Sequence, residues 1–209
     1  VEPDGYYMIA TAEHPLTAMF MGETIPEADL PLRIVGVSPC FRREVGSHGQ
    51  SDLGIWRVHQ FTKIEQIIIA TPEQSWELQE ELLQNCLDLW DALGMHYEVV
   101  NICTGDMGTV AARKYDLEAW IPGANQNKEI VSCSNCTDYQ ANRLQIRYGQ
   151  PGHAGQPIAH TLNSTAVATS RALVAIMEQN QMEDGRVRIP EVLQPLMGGQ
   201  ETLEPCTWG

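Results

Sequence analysis

Two β-rich runs, residues 32–43 and 57–69, flank a polar stretch, residues 44–55, that contains Gly46, Gly49 and Gly54. Strand, glycine-rich loop, strand is the signature of an antiparallel hairpin. Successive side chains on a strand point to opposite faces. One face of the second run then carries Arg57, His59, Phe61, Lys63 and Glu65, and the other Val58, Gln60, Thr62, Ile64 and Gln66. Cys40, Arg42 and Glu44 share a face of the first run. A face mixing Arg, His, an aromatic ring, Lys and Glu is too polar for plain core. It is either solvated or a site. If the two faces coincide, the hairpin presents Arg42, Glu44, Arg57, Phe61 and Glu65 together. A ring flanked by guanidinium groups suits an adenine base and its phosphates.

The rest of the chain supplies flanking elements. Residues 6–11 read as a short strand and 14–21 as a short helix. Residues 71–93 read as a long helix, with Thr71 as cap, Pro72 in the first turn and Gln74 completing a capping box. Trp76, Leu82, Leu83, Cys86, Leu87, Trp90 and Leu93 form its apolar face, and Gly94 ends it. Residues 97–103, 115–121, 128–134 and 158–162 read as further strands. Residues 164–181 read as a second long helix that buries Ala166, Val167, Leu173, Ile176 and Met177. Residues 185–209 form a Pro- and Gly-rich tail. The reading is therefore a single α+β domain over residues 1–209, with a largely antiparallel β-sheet flanked by helices and the hairpin near its middle. There is no GxGxxG after a strand and no GxxxxGK[ST], so neither common nucleotide loop is present.

Composition narrows the partners. Thirteen Lys and Arg against 27 Asp and Glu give a formal charge of −14, which argues against a protein that coats DNA. No apolar run reaches the ~18 residues of a membrane span, and the first residues have no signal-peptide pattern. The absence of an initial methionine fits an excerpt of a longer protein. Only three of the cations are Lys (Lys63, Lys114 and Lys128), so an anion would be gripped mainly by Arg. Of six Cys, only Cys133 and Cys136 have CxxC spacing. The cysteines read as reduced core residues, with a metal or redox pair at Cys133 and Cys136 as the alternative, and no His has metal-ligand spacing.

Phe41-Arg42-Arg43-Glu44, a loop, and then Arg57-Val58-His59-Gln60-Phe61-Thr62-Lys63-Ile64-Glu65 resemble motif 2 of the class II aminoacyl-tRNA synthetases. Further words occur in register: Thr11-Ala12-Glu13, Cys103-Thr104-Gly105-Asp106, Lys114-Tyr115-Asp116-Leu117-Glu118, Glu129-Ile130-Val131-Ser132, His160-Thr161-Leu162-Asn163 and Arg188-Ile189-Pro190-Glu191. Together they are similar to the catalytic domain of the seryl-tRNA synthetase family over roughly residues 6–200. The resemblance implies cytoplasmic activation of L-serine by ATP, with Mg²⁺, and transfer of serine to tRNA(Ser).

Residue by residue, the resemblance implies that Arg42 holds the α-phosphate and the amino-acid carboxylate. It places Glu44 on the adenine amino group, Phe61 beneath the ring, and Arg57 within reach of phosphates. Arg43, Val58, Ile130 and Val131 fall in the implied ATP-binding words. Glu129 and Ser132 match the Mg²⁺ and ATP site, and Arg171 the motif 3 arginine near the γ-phosphate. Arg42, Arg171 and Glu129 are thus the implied catalytic set. Thr11, Ala12, Glu13, Glu65, Asn163 and Thr165, with Arg42, match the serine pocket. The family's N-terminal tRNA-binding arm and motif 1 have no counterpart in this sequence. The full-length protein is expected to be a homodimer, and this chain alone is not expected to dimerise tightly.

Several points stay open at the level of sequence. Glu13 also suits a cap on the helix that follows it. Asp116 and Glu118 read more readily as strand-edge charges than as ligands. Glu129 and Ser132, three residues apart, lie on opposite faces of an unbroken strand, so a joint role requires a bulge. Motif 3, Ser164 to Arg171, carries no glycine. Two other functions also fit: a ligase that passes an aminoacyl adenylate to a carrier protein, and a non-catalytic amino-acid-binding homologue.

Overall fold

The computed structural model describes residue 3 and residues 5–44 and 54–206. Their elements are α1 Glu13–Ala18, β1 Thr24–Pro26, β2 Leu32–Phe41, β3 Gln60–Ala70, α2 Ser75–Ala92, β4 Tyr97–Asn101, β5 Arg113–Ile121, β6 Gln126–Asn135, α3 Tyr139–Leu144, β7 Arg147–Gly149, β8 His160–Ala168, α4 Thr169–Gln179, β9 Val187–Arg188 and β10 Thr202–Leu203. A six-stranded sheet in the order β2-β3-β8-β6-β5-β4 is antiparallel throughout. β2 and β3 pair from Leu32–Ile69 to Phe41–Gln60, as the hairpin reading requires. The hairpin is not central, however, because β2 forms one edge of the sheet, with β3 next to it, and β8 and β6 form its middle. Most of the predicted loop, residues 45–53, lies outside the described residues.

The sheet separates two cores. On one face α2 and α4 cover Ile68, Leu117, Val131, Cys133 and Leu162, with Leu82, Trp90, Ala172 and Ala175 supplied by the helices. On the other, Ile69 packs with Ile25, Ala141, Ile146 and Ala159 beneath α1, α3 and the β1–β7 pair. Neighbouring Ile68 and Ile69 thus point to opposite cores, as strand alternation demands. Near the C-terminus, β9 and β10 pair around a 3-10 turn at Glu191–Met197.

Several expected elements differ from those found. Residues 6–11 form no strand. Ile9 O accepts the Phe41 N–H at 2.8 Å and Ala10 O accepts Arg42 Nε at 3.3 Å, so the segment runs beside the end of β2 without a ladder. The capping box is half made: Gln74 Oε1 accepts the Thr71 N–H at 3.3 Å, and the helix begins only at Ser75. Trp76 is exposed, lying 5.2 Å from the Arg113 guanidinium, because the buried apolar stripe starts two residues later at Leu78. Residues 164–168 are strand, not helix. Thr165 and Val167 pair with Glu65 and Ile64, and tertiary pairing outweighs the local periodicity. The later start leaves Leu173 and Met177 facing outward and Ala172 and Ala175 inward, where small side chains let α4 lie close to the sheet. Ala166 and Val167 are half-buried strand residues.

Four cysteines are buried and two, Cys103 and Cys206, are exposed. All six are free thiols. Gly36 in β2 has a packing duty. A Cβ there would stand 2.6 Å from Leu16 Cδ1 and 3.2 Å from Ala12 Cβ, so glycine is what lets α1 lie across β2. Gly36→Val should therefore destabilise the fold by about 1–3 kcal/mol, and Leu16→Ala in the same chain should return part of that loss. Chemical denaturation of the single and double variants measures this. An unchanged midpoint for Gly36→Val would mean that α1 is not seated there.

Candidate active site

Two clefts open on the face opposite α2. One, of about 260 Å³, is lined by Arg42, Glu44, Trp56, Arg57, Val58, Phe61, Glu129, Ile130 and Arg171 among others. The second, of about 670 Å³, is lined by Glu13, Glu65, Ser132, Ser134, Gln140 and Asn163 among others. Arg42, Lys63, Glu129 and Thr165 line both, so the clefts meet at these four side chains. Most of the implied ATP residues thus stand together in the smaller cleft, and most of the implied serine residues in the larger.

In the smaller cleft the Arg42 guanidinium lies 5.3 Å from the centre of the Phe61 ring, a cation–π distance. Arg57 Nη1 reaches Glu44 Oε2 at 2.7 Å, tying the return of the loop to its departure. Glu44 holds a left-handed backbone, φ 48°, where the chain leaves β2. Arg171 comes from the first turn of α4. Its Nη1 donates to Glu129 O at 2.8 Å and lies 3.4 Å from Glu129 Oε1. Its guanidinium stands 5.5 Å from the Trp56 ring, which also has Lys128 Nζ at 5.0 Å. Trp56 has no role in the sequence reading, yet it is the surface on which the α4 arginine rests.

The bulge that Glu129 and Ser132 require is present. Leu117 pairs with Val131 and Glu118 with Glu129, leaving Ile130 as the extra residue in β6. Beyond it Val131 and Cys133 turn toward α2, while Ser132 and Ser134 join Glu129 on the clefts. β8 has a matching irregularity: Ile64 pairs with Val167 and Glu65 with Thr165, so Ala166 is extra. That bulge keeps Thr165 on the cleft side beside Glu65 and also returns Ala168 to it, against the smaller cleft.

Glu65 is 2% exposed and forms an ion pair with Lys63. Thr165 Oγ1 lies 3.5 Å from Glu65 Oε2. Burial pushes the Glu65 carboxyl above the usual carboxylate range and Lys63 pulls it back, while Glu13 adds a smaller upward push. Glu13 Oε1 accepts from Gln140 Nε2 at 2.6 Å and Asn163 Nδ2 at 3.1 Å. Glu13 is therefore drawn across to α3 and β8 instead of capping α1. Thr11 supplies that local bond, its Oγ1 accepting the Glu13 N–H at 3.3 Å. Thr11 and Ala12 are buried behind the cleft wall, Val131 faces the α2 core, and exposed Arg43 lines neither cleft.

Asp116 is not a strand-edge charge. It is 5% exposed, pairs across the sheet with Ser132, and has one oxygen, Oδ1, with no hydrogen-bond partner. Lys114 Nζ is 3.2 Å from its other oxygen. Burial, and then the nearby Glu129 carboxylate, push the Asp116 carboxyl up. Two acidic groups, a hydroxyl and an orphaned oxygen beside a cleft suit a hard divalent cation that keeps waters and phosphate oxygens in its shell. Only its alternation with Lys114 on β5 could have flagged Asp116. Gln140 gave no signal, since it meets Glu13 across 127 positions of sequence.

Antiparallel sheet, arginine over phenylalanine at the strand hairpin, and a second arginine from the helix that follows β8 together define a class II synthetase core. The chain belongs to that family: the tRNA synthetase class II core domain (G, H, P, S and T) matches residues 1–180. Within it, the chain resembles serine--tRNA ligases. It is 59% identical over 205 residues to the serine--tRNA ligase of Methanocorpusculum labreanum, covering 97% of this chain and 48% of that protein. The seryl-tRNA synthetase from Pyrococcus horikoshii, crystallised with ATP, superposes with a TM-score of 0.94 at 53% identity, covering 99% of this chain and 46% of that one. The cytoplasmic serine-tRNA ligase from Naegleria fowleri in complex with AMP gives 0.91 at 47% identity, covering 97% and 48%. The chain spans about half the length of these relatives.

Burial, and then the Glu129 carboxylate, disfavour a charged Asp116 when no divalent cation is added. Asp116→Asn keeps the shape and removes one charge, so it should raise the melting temperature at pH 7.5. A fall, measured by calorimetry, would show that the carboxylate is satisfied where it stands.

Proposed function

We propose that this chain is the catalytic core of a serine--tRNA ligase, which converts L-serine and ATP to seryl-adenylate and pyrophosphate and then transfers serine to tRNA(Ser), releasing AMP. The observation that carries the reading is the meeting of two clefts at Arg42, Lys63, Glu129 and Thr165. The smaller, polar cleft with an aromatic floor suits a nucleotide, and the larger cleft with its buried carboxylate suits an amino acid. Their seam lies where a carboxylate and an α-phosphate would meet. The names of the similar proteins support serine as the amino acid and ATP as the nucleotide, and a relative described as cytoplasmic supports that compartment.

The reaction forms one bond, from the serine carboxylate oxygen to the α-phosphorus, and breaks the bond from that phosphorus to pyrophosphate. No base is needed, because the nucleophile is already ionised. The obstacle is repulsion between two anions held in line. Arg42 at the seam offers the forked donors that cancel it, and Arg171, braced by Glu129 and Trp56, offers a second cation to the departing phosphates. Phe61 holds the base equally in ground and transition states. Glu129, Ser132 and Asp116 would hold Mg²⁺, which when bound supplies further charge neutralisation at the phosphates. In the larger cleft Glu65 faces the ammonium and hydroxyl of serine, with Thr165 beside it. Alanine would leave these groups unpaired, which is a strong basis for rejection.

Serine-dependent exchange of pyrophosphate into ATP tests the reading in the complete protein. Arg42→Ala should abolish exchange, and Phe61→Ala should raise the ATP KM more than it lowers kcat. Thr165→Ala should weaken the serine-over-alanine preference by about 1–3 kcal/mol, with ATP binding nearly unchanged. Exchange within a few-fold of wild type in Arg42→Ala, or an unaltered serine-to-alanine ratio in Thr165→Ala, would defeat the respective assignment.

A further inference from the structure

Lys63 sits two residues before Glu65 on the same face of β3, at 7% exposure, and pairs with it directly. Among the described residues it is the one cation in contact with that carboxylate. The other polar neighbour is Thr165 Oγ1, at 3.5 Å. Glu13, from α1, faces the same cleft with its own negative charge. Arg42, Lys114, Glu129 and Arg143, with the titratable His14, Cys136 and Tyr139, line that cleft, and among the described residues none of them bonds to Glu65. A carboxylate buried beside a second carboxylate and a single hydroxyl takes up a proton readily, because burial and like charge both disfavour the ionised form.

We propose that Lys63 is a positioning residue for the amino acid: by pairing with Glu65 it keeps that buried carboxyl ionised and aimed into the larger cleft, so that Glu65 can receive the ammonium group of the substrate. This rests on the reading of the chain as an amino-acid-activating core. The bulge at Ala166 brings Thr165 against the same carboxylate from β8, leaving Lys63 to hold the charge and Thr165 to fix the direction. Arginine is the larger, permanently charged alternative, while a neutral side chain of similar length fills the space without the charge.

The sign of the expected pH effect follows directly. Burial already raises the Glu65 carboxyl and Lys63 lowers it, so removing the cation raises it further. A protonated Glu65 cannot pair with an ammonium group. In Lys63→Met the serine KM in pyrophosphate exchange should therefore rise about tenfold for each unit by which the carboxyl comes to titrate above the working pH. The defect should shrink as pH is raised from 6.5 to 8.5. Lys63 also lines the smaller cleft, so the test is the comparison: at pH 6.5 the serine KM should rise more than the ATP KM, and Lys63→Arg should recover most of the serine affinity at every pH. A serine defect of the same size at all pH values, a loss confined to ATP, or no defect would each overturn the proposal. A direct measurement needs no variant. In uniformly folded wild-type protein labelled with ¹³C at glutamate carboxyls, the Glu65 resonance should sit at its ionised position at pH 7, and a protonated position there would overturn the proposal. If wild-type protein gives no serine-dependent exchange, the functional reading fails, while the carboxyl measurement still decides the role of Lys63.

Discussion

A carboxylate that is 2% exposed lies on β3, one strand from the middle of a six-stranded sheet, and much of the surrounding architecture serves it. An isolated charge in that position costs several kcal/mol, so the fold must surround it with partners. Lys63 supplies the charge and Thr165 a hydroxyl. Glu13, the second carboxylate of the cleft, is held apart by its own bonds to Gln140 and Asn163. Each partner comes from a different part of the chain. α1 reaches its post because Gly36 leaves room across β2, and β8 reaches its post because it is inserted between β3 and β6. The polar cluster is therefore a check on correct assembly.

The two bulges solve a geometric problem of the sheet. A regular strand gives every second residue to the cleft, and the useful side chains do not follow that period. The extra residue at Ile130 brings Glu129 onto the same side as Ser132. The extra residue at Ala166 keeps Thr165 opposite Glu65 and still lets Ala168 face the smaller cleft. Local ladder hydrogen bonds are given up at both places, and side-chain aim is gained. The core on the other face tolerates this because Ile130 and Val167 are apolar and pack toward α2 and α4.

The hairpin site was legible because alternation along one strand is a local rule. Phe61, Lys63 and Glu65 face the clefts as the period-two pattern requires, and Arg42 meets Phe61 across the hairpin. The second helix was misplaced for the opposite reason. Residues 164–168 carry apolar residues at spacings that suit either structure, and the pairing of Thr165 with Glu65, 100 positions away, decides for strand. Trp76 and Leu173 were assigned to the core by pattern, but the helices begin later than the pattern suggests, and their stripes rotate accordingly.

The sequence by itself determined the class of fold, the hairpin with its charged face, the long helix ended by Gly94, and the set of residue types from which an anion-binding site is built. These follow from short-range periodicity, turn chemistry and the donor geometry of arginine, all of which are present within a few residues of one another. The tertiary structure alone decided that β2 is an edge, that Glu129 and Ser132 share a face, that Asp116 is buried against them, and that Gln140 and Trp56 brace residues far from them in sequence. Those outcomes depend on which strands pair and in what register. That choice is made by burial and hydrogen bonding summed over the whole sheet, and no local segment contains it.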